Sequence, residues 1–193
     1  MSFVLPPDTA AWLHQEARAG FEVAYFEALD DGWRAQGWTT AVEEGETWVV
    51  RYDIRLDEAW TTRSAEVWGQ SVSGERSTVV EADSAGHWLV NGQAALHLDG
   101  CLDVDLESSA MTNAFPVHRM ALPVGARAEA PAAYVRAVGL GVERLEQSYE
   151  RLTNKDTRQR YDYAAPIFNF ACHLVYDESG LVLDYPGIAT RAQ

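Results

Sequence analysis

Apolar and polar residues alternate along much of this chain with a period of two. Between residues 47 and 57, Trp48, Val50, Tyr52, Ile54 and Leu56 share one face, while Arg51, Asp53, Arg55 and Asp57 occupy the other. That is the pattern of a half-buried strand. Residues 60–68 predict its antiparallel partner, because only Asp57, Glu58 and Ala59 separate the two runs. Further strands are predicted over 21–27, 77–82, 87–90, 95–98, 101–106, 132–138, 167–176 and 181–185. Between them, Asp83-Ser84-Ala85-Gly86, Asn91-Gly92, Asp99-Gly100 and Asp177-Glu178-Ser179-Gly180 supply the residues that tight reversals need. Short strands joined in this way predict a mainly β chain, an antiparallel sheet folded as a sandwich, roll or barrel, rather than a parallel α/β sheet. Two segments have helical spacing: Asp8 can cap a helix running to Arg18, and Val142, Leu145, Tyr149 and Leu152 recur at helical intervals.

The chain has 193 residues, no internal repeat and no linker-like tract. It reads as one domain over 21–193 behind an N-terminal extension over 1–20. With 15 basic and 29 acidic residues, its net charge is −14, and the acidic residues are spread along the chain. Such a balance disfavours nucleic acid and anionic membrane surfaces. Pro6 and Pro7 interrupt the N-terminal apolar residues, and no run of about 18 apolar residues occurs, so neither a secretion signal nor a transmembrane segment is expected. The expected location is the cytoplasm. Cys101 and Cys172 are far apart and form no metal-binding spacing, which predicts two buried thiols.

The run Asp99-Gly100-Cys101-Leu102-Asp103-Val104-Asp105-Leu106 is the densest candidate for chemistry. In an extended chain Asp103 and Asp105 lie about 7 Å apart on one face. Carboxylates at that range can bind a cation, grip sugar hydroxyls or serve as general acid and base; they can also face water, as most charged residues do. A metal site through His97, Asp99, Asp103 and Asp105 is the sharpest version, yet no metalloprotease or calcium-loop spacing is present. Gly69-Gln70-Ser71-Val72-Ser73 misses the nucleophile-elbow pattern at its last position, and no glycine-rich phosphate loop occurs. No cofactor or metal is expected. The segment 112–119 reads as a turn containing Asn113 and Pro116, followed by the cation Arg119. Tyr134 and Arg136 share a strand face, and Arg158, Arg160, Tyr161 and Tyr163 form a mixed aromatic and cationic stretch. Guanidinium forks and phenols suit an oxygen-rich ligand, although ordinary pairing with acidic neighbours accounts for them equally well. Trp48, Trp60, Trp68 and Trp88 fall on predicted strands, where they can line a cavity or fill a core.

Taken in order, the acidic run, Thr112-Asn113 with Pro116 and Arg119, Ala133-Tyr134-Val135, Gln159-Arg160-Tyr161 with Tyr163, and Gly180 to Gly187 including Leu183-Asp184-Tyr185-Pro186 resemble the "putative glycolipid-binding" family, bacterial domains of unknown function. The resemblance covers roughly residues 21–191. Val117-His118-Arg119-Met120 departs from the family's aliphatic residue, two arginines and leucine. The resemblance implies a single curled antiparallel sheet, a spiral roll or incomplete barrel similar to lipoprotein-carrier half-barrels, and turns Val142 to Leu152 into a strand. It also implies a non-catalytic protein holding an amphiphilic small molecule, a glycolipid by the family name. The expected ligand-binding residues are Trp88, Asp103, Asp105, Asn113, Arg119, Tyr134, Arg136, Arg160, Tyr163 and Tyr185. The alternatives are a glycoside or ester hydrolase using Asp103 and Asp105, with or without a metal, and an interaction module marked by an apolar surface patch. A structural reading of the acidic run stands beside all three: Asp99 and Gly100 set a turn, and the aspartates anchor neighbouring amides or arginines.

Overall fold

The computed structural model describes residues 3–83 and 85–192; Ser84, in the expected 83–86 turn, lies outside them. The first half is a meander: β1 (Thr9–His14), β2 (Ala19–Leu29), β3 (Gly32–Glu43), β4 (Glu46–Asp57), β5 (Thr62–Ser71), β6 (Gly74–Ala82), β7 (Trp88–Val90) and β8 (Gln93–Ala94). There follow β9 (Asp103–Leu106), α1 (Ala114–Met120), β10 (Arg127–Glu129), β11 (Ala132–Val135) and β12 (Val142–Leu145). The chain ends with β13 (Ser148–Lys155), β14 (Arg158–Ala165), β15 (Phe170–Tyr176), β16 (Val182–Tyr185) and β17 (Ala189–Arg191).

Among the described residues, fourteen strands form one curled, open antiparallel sheet in the order β10-β13-β14-β15-β16-β17-β1-β2-β3-β4-β5-β6-β7-β8. The other three form a small sheet, β12-β11-β9, in which β9 and β11 run parallel. Every residue of β9 and β11 is buried, as are Ala114 to Val117 at the start of α1. Strands buried on both faces must be covered on both faces, so the small sheet and α1 fill the curl of the large one.

The large sheet explains why the helix expected from Asp8 to Arg18 does not form and why 142–152 is strand, as the resemblance implies. Residues 9–14 form a strand joining the two halves of the sheet, paired to β17 on one side and β2 on the other. Trp12 is fully buried, and its indole N–H donates to the Val182 carbonyl at 2.7 Å. Two ladders of backbone hydrogen bonds and a buried indole outweigh the modest helix propensity of this Ala- and Leu-containing segment. Residues 142–152 divide between β12 and β13, strands of different sheets. Two smaller expectations also change. Residues 95–98 include a 3-10 turn over Leu96–Leu98 rather than a strand, and the expected turn at 112–119 is mostly the helix α1, with Pro116 tolerated in its first turn.

Strand β4 places Trp48, Val50, Tyr52, Ile54 and Leu56 inward as the alternation predicts, all of them buried. Its neighbour β3, and β2 beyond it, reverse the usual rule. Their inward residues are Glu22, Ala24, Ala35, Gly37, Thr39 and Ala41, and several of their large apolar residues point outward. Space is the reason: a Cβ on Gly37 would sit 2.1 Å from the Tyr52 hydroxyl, which crosses that gap to donate to Glu22 at 2.6 Å. Outside, Leu13, Phe21, Tyr25, Trp38 and Val42 leave an exposed apolar patch on the sheet, with Leu13 opposite Phe21 and the Tyr25 and Trp38 rings 6.0 Å apart.

Candidate functional site

The acidic run does not face water. Asp103 is fully buried and Asp105 is 6% exposed, because β9 is covered on both faces. Their fates differ. Arg119, on α1, grips Asp103 with a two-pronged contact, Nε to Oδ1 at 3.0 Å and Nη2 to Oδ2 at 2.5 Å. Burial holds the Asp103 carboxyl above the ordinary carboxylate range, against the pull of the Arg119 guanidinium. This pair ties α1 to the small sheet.

Asp105 lies directly across the parallel ladder from Tyr134 and opens onto a cavity of about 280 Å³ between the small sheet and strands β14 to β16. The Thr112 hydroxyl is 3.0 Å from its Oδ1. Among the described residues no donor meets Oδ2. Burial is the main cause that pushes the Asp105 carboxyl up to about 7; the Thr112 hydrogen bond opposes the shift, and the negative charges of Asp103 and Glu107 add to it. Around it stand Asn113, Tyr134, Tyr163 and Tyr185, with Arg136 and Glu107 also on the wall. The rest of the lining is apolar: Leu145, Ala165, Phe168, Phe170 and Ile188.

These side chains are held by others. The Tyr163 hydroxyl donates to Gln147 Oε1 at 2.9 Å. Asn113 receives Tyr149 on its side-chain oxygen at 2.9 Å and Tyr176 on its carbonyl at 3.1 Å, so two phenols fix the start of α1. Arg136 Nη1 lies 3.3 Å from Glu107 Oε1 and its Nη2 3.2 Å from Glu143 Oε2, while its guanidinium lies over the Tyr134 and Phe168 rings at 5.2 and 5.5 Å. Arg18 reaches the cavity from the β1–β2 connection, donating to the Glu107 carbonyl at 3.1 Å with Glu43 3.7 Å away.

Of the ten residues expected at a binding site, the structure brings Asp105, Asn113, Tyr134, Arg136, Tyr163 and Tyr185 together around this cavity. It places four elsewhere. Asp103 and Arg119 satisfy each other without lining it. Trp88 is core, its indole donating to the Cys101 carbonyl at 3.0 Å. Arg160 falls between the inward Gln159 and Tyr161 and so lies on the outer side of β14. The four-residue metal site does not assemble: His97 and Asp99 are exposed while Asp103 and Asp105 are buried. Among the described residues no cluster of three or more His, Cys, Asp or Glu is arranged to hold a metal ion, and no helix is long and apolar enough to cross a membrane. Cys101 is buried and Cys172 half-buried, and burial pushes their thiols up to about 11 and about 12.

Sequence reasoning missed Glu107, Arg18 and Glu22. Glu107 continues the i, i+2 spacing of Asp103 and Asp105, a signal that was present. Arg18 lay in the segment expected to be helical. Glu22 occupies an inward position on β2: fully buried, it accepts hydrogen bonds from Tyr52, from the Ser109 hydroxyl and from the Ala110 amide at 2.8 Å, and burial raises its carboxyl above the ordinary range. It thereby pins the connection between β9 and α1 that carries Ser109 and Asn113 to the cavity wall. His118, the departure from the family pattern, stacks on Trp60 at 3.6 Å and contacts the Ser179 carbonyl at 2.9 Å, a packing role.

An open, curled antiparallel sheet wrapped around an inner sheet and a mixed polar and aromatic cavity defines a β-barrel-like class of protein. The chain belongs to the "putative glycolipid-binding" family, whose model matches residues 9–191. The match includes β1, so residues 9–20 fall within the family region. The crystal structure of a DUF1089 family protein from Pseudomonas aeruginosa is similar at 35% identity and a TM-score of 0.78, covering 89% of this chain and 92% of that one. A β-barrel-like protein of domain of unknown function DUF1849 from Brucella abortus shares the fold, at 10% identity and a TM-score of 0.53 over 98% of this chain and 96% of that one. No curated protein matches.

Proposed function

We propose that this protein binds an amphiphilic small molecule, a glycolipid by chemical class, in the cavity beside Asp105. The observation that carries this reading is the mixed lining. Asp105, Asn113 and three tyrosines supply hydrogen-bonding groups, and Phe168, Phe170, Leu145 and Ile188 interleave apolar surface with them, the Phe170 ring 6.2 Å from Tyr163 and 6.0 Å from Tyr185. A sugar ring can stack on the tyrosines and hydrogen-bond the carboxyl as its chain runs along the phenylalanines. The family description supports the same class of ligand. An acid–base pair formed by Asp103 and Asp105 gains no comparable support, because Arg119 engages both oxygens of Asp103.

Titration calorimetry with hexyl, heptyl and octyl glucosides below their micellar concentrations tests the reading. Each added methylene buried against the apolar wall strengthens binding about fourfold, until the wall is covered. Affinity that does not change with chain length, or no binding at all, contradicts it.

A further inference from the structure

Asp105 has a feature that a site for uncharged sugars does not require. Its Oδ2 has no donor among the described residues, and each guanidinium lining the cavity it opens onto already faces an acidic side chain, although Arg18 Nε has no hydrogen-bond partner among the described residues. Arg136 is already met by Glu107 and Glu143, and Arg18 lies against Glu43. Arg119, the nearest guanidinium on α1, is taken up by Asp103. From β11, β13 and β14 the ionisable groups facing Asp105 are Tyr134, Tyr149 and Tyr163; from β15 and β16 they are Tyr176 and Tyr185. Burial raises all five phenols above their ordinary value, so they stay neutral donors near neutral pH. On its own strand, Asp103 and Glu107 add negative charge. An ionised carboxylate in such surroundings is costly unless a cation arrives with the ligand.

We infer that the head group this cavity selects carries an amine, whose ammonium donates to the free oxygen of Asp105 while the rest of the amphiphile lies against the Phe168–Phe170 wall. An anionic head group, by contrast, meets Asp105 and Glu107 with like charge, and the guanidiniums of Arg136 and Arg18 already face Glu107, Glu143 and Glu43. This inference rests on the amphiphile-binding reading and adds the charge of the ligand to it. It also gives the site a pH dependence. Protonation of Asp105 below neutrality removes the charge that attracts the amine but leaves a neutral head group's hydrogen bonds largely in place.

The test compares three ligands altered at one position: octyl glucoside, its 6-amino-6-deoxy counterpart and octyl glucuronide. Their affinities for the whole chain are measured by calorimetry at pH 5.5 and pH 7.5. At pH 7.5 the amine binds about tenfold or more tighter than the neutral glucoside, and the glucuronide binds weakest. At pH 5.5 the advantage of the amine falls several-fold. In Asp105→Asn, with its fold checked by circular dichroism, the amine and the neutral glucoside bind alike. Equal affinity of wild type for the amine and the neutral glucoside at pH 7.5 overturns the charge selection and leaves the binding reading standing, as does tightest binding of the glucuronide. Failure of all three ligands to bind overturns both. The wild-type comparison across pH decides the matter even if the variant does not fold.

Discussion

Arg119→Met is expected to lower the stability of the protein by about 3–5 kcal/mol, because it leaves the Asp103 carboxylate buried with no counter-charge. Asp103 is fully buried, and the Arg119 guanidinium contacts both of its oxygens. Removing the cation strands the anion inside, which costs more than the pair itself contributes. The companion prediction separates these two effects. In Arg119→Met/Asp103→Leu the stranded charge is gone, and most of the lost stability returns, since a buried ion pair replaced by apolar side chains of similar volume is often neutral in energy. Urea unfolding of the two variants, read as shifts in midpoint at constant slope, measures both. A double variant as unstable as the single one means that the pair does more than satisfy itself.

Asp105→Asn should have the opposite sign. The carboxyl titrates at about 7 in the folded protein against an ordinary 3.8, so the folded state holds the proton more tightly than the unfolded chain does. A raised carboxyl contributes stability that is fully present below the unfolded value and is lost as pH rises through the folded one. The wild type therefore carries an ionised, under-satisfied carboxylate at pH 8, and asparagine relieves it of about 2–4 kcal/mol there. Near pH 4, where a neutral carboxyl and an amide are close in shape and charge, the two proteins should be nearly equal in stability. Glu22 also has a raised carboxyl, so both proteins lose stability with rising pH; the difference between their curves isolates Asp105. An asparagine variant less stable than wild type at pH 8 would mean that the carboxylate is held by interactions stronger than its one hydroxyl contact. The predicted gain is the reverse face of a binding site, where a group kept for a ligand destabilises the empty fold.

The strands that put large apolar residues inside were legible in the sequence, β4 above all, with Trp48 to Leu56 alternating cleanly. Strand β3 was not. Its inner face is Ala35, Gly37, Thr39 and Ala41, residues with little hydrophobic signal that leave room for Tyr52. In β2 the pattern misleads, since Phe21, Val23 and Tyr25 point outward and Glu22 inward. Strand β1 was read as a helix because Asp8 and the alanines are local signals, whereas its strand state comes from β17, about 180 residues further along the chain.

The cavity was legible only in part. The spacing of Asp103 and Asp105 puts both on one face, but nothing in that spacing separates a carboxylate neutralised by Arg119 from one left open. That distinction depends on where α1 delivers its arginine. Phe168 and Phe170 lie within a segment that sequence reading took as continuous strand. A 3-10 turn over Pro166–Phe168 interrupts it and lets the Phe168 ring reach the mouth of the cavity. The resemblance carried by the short motifs supplied the curled sheet, which alternation alone left open among sandwich, roll and barrel.

The exposed patch around Phe21, Trp38 and Val42 is the competing place for an amphiphile, because it too offers aromatic and aliphatic surface. A crystal structure of the wild-type protein with octyl glucoside decides between the two surfaces. The account predicts the sugar beside Asp105 and Tyr163, with the chain against Phe168 and Phe170. Glucoside seated only on the outer face of β2 and β3, with the Asp105 cavity unoccupied, would contradict it.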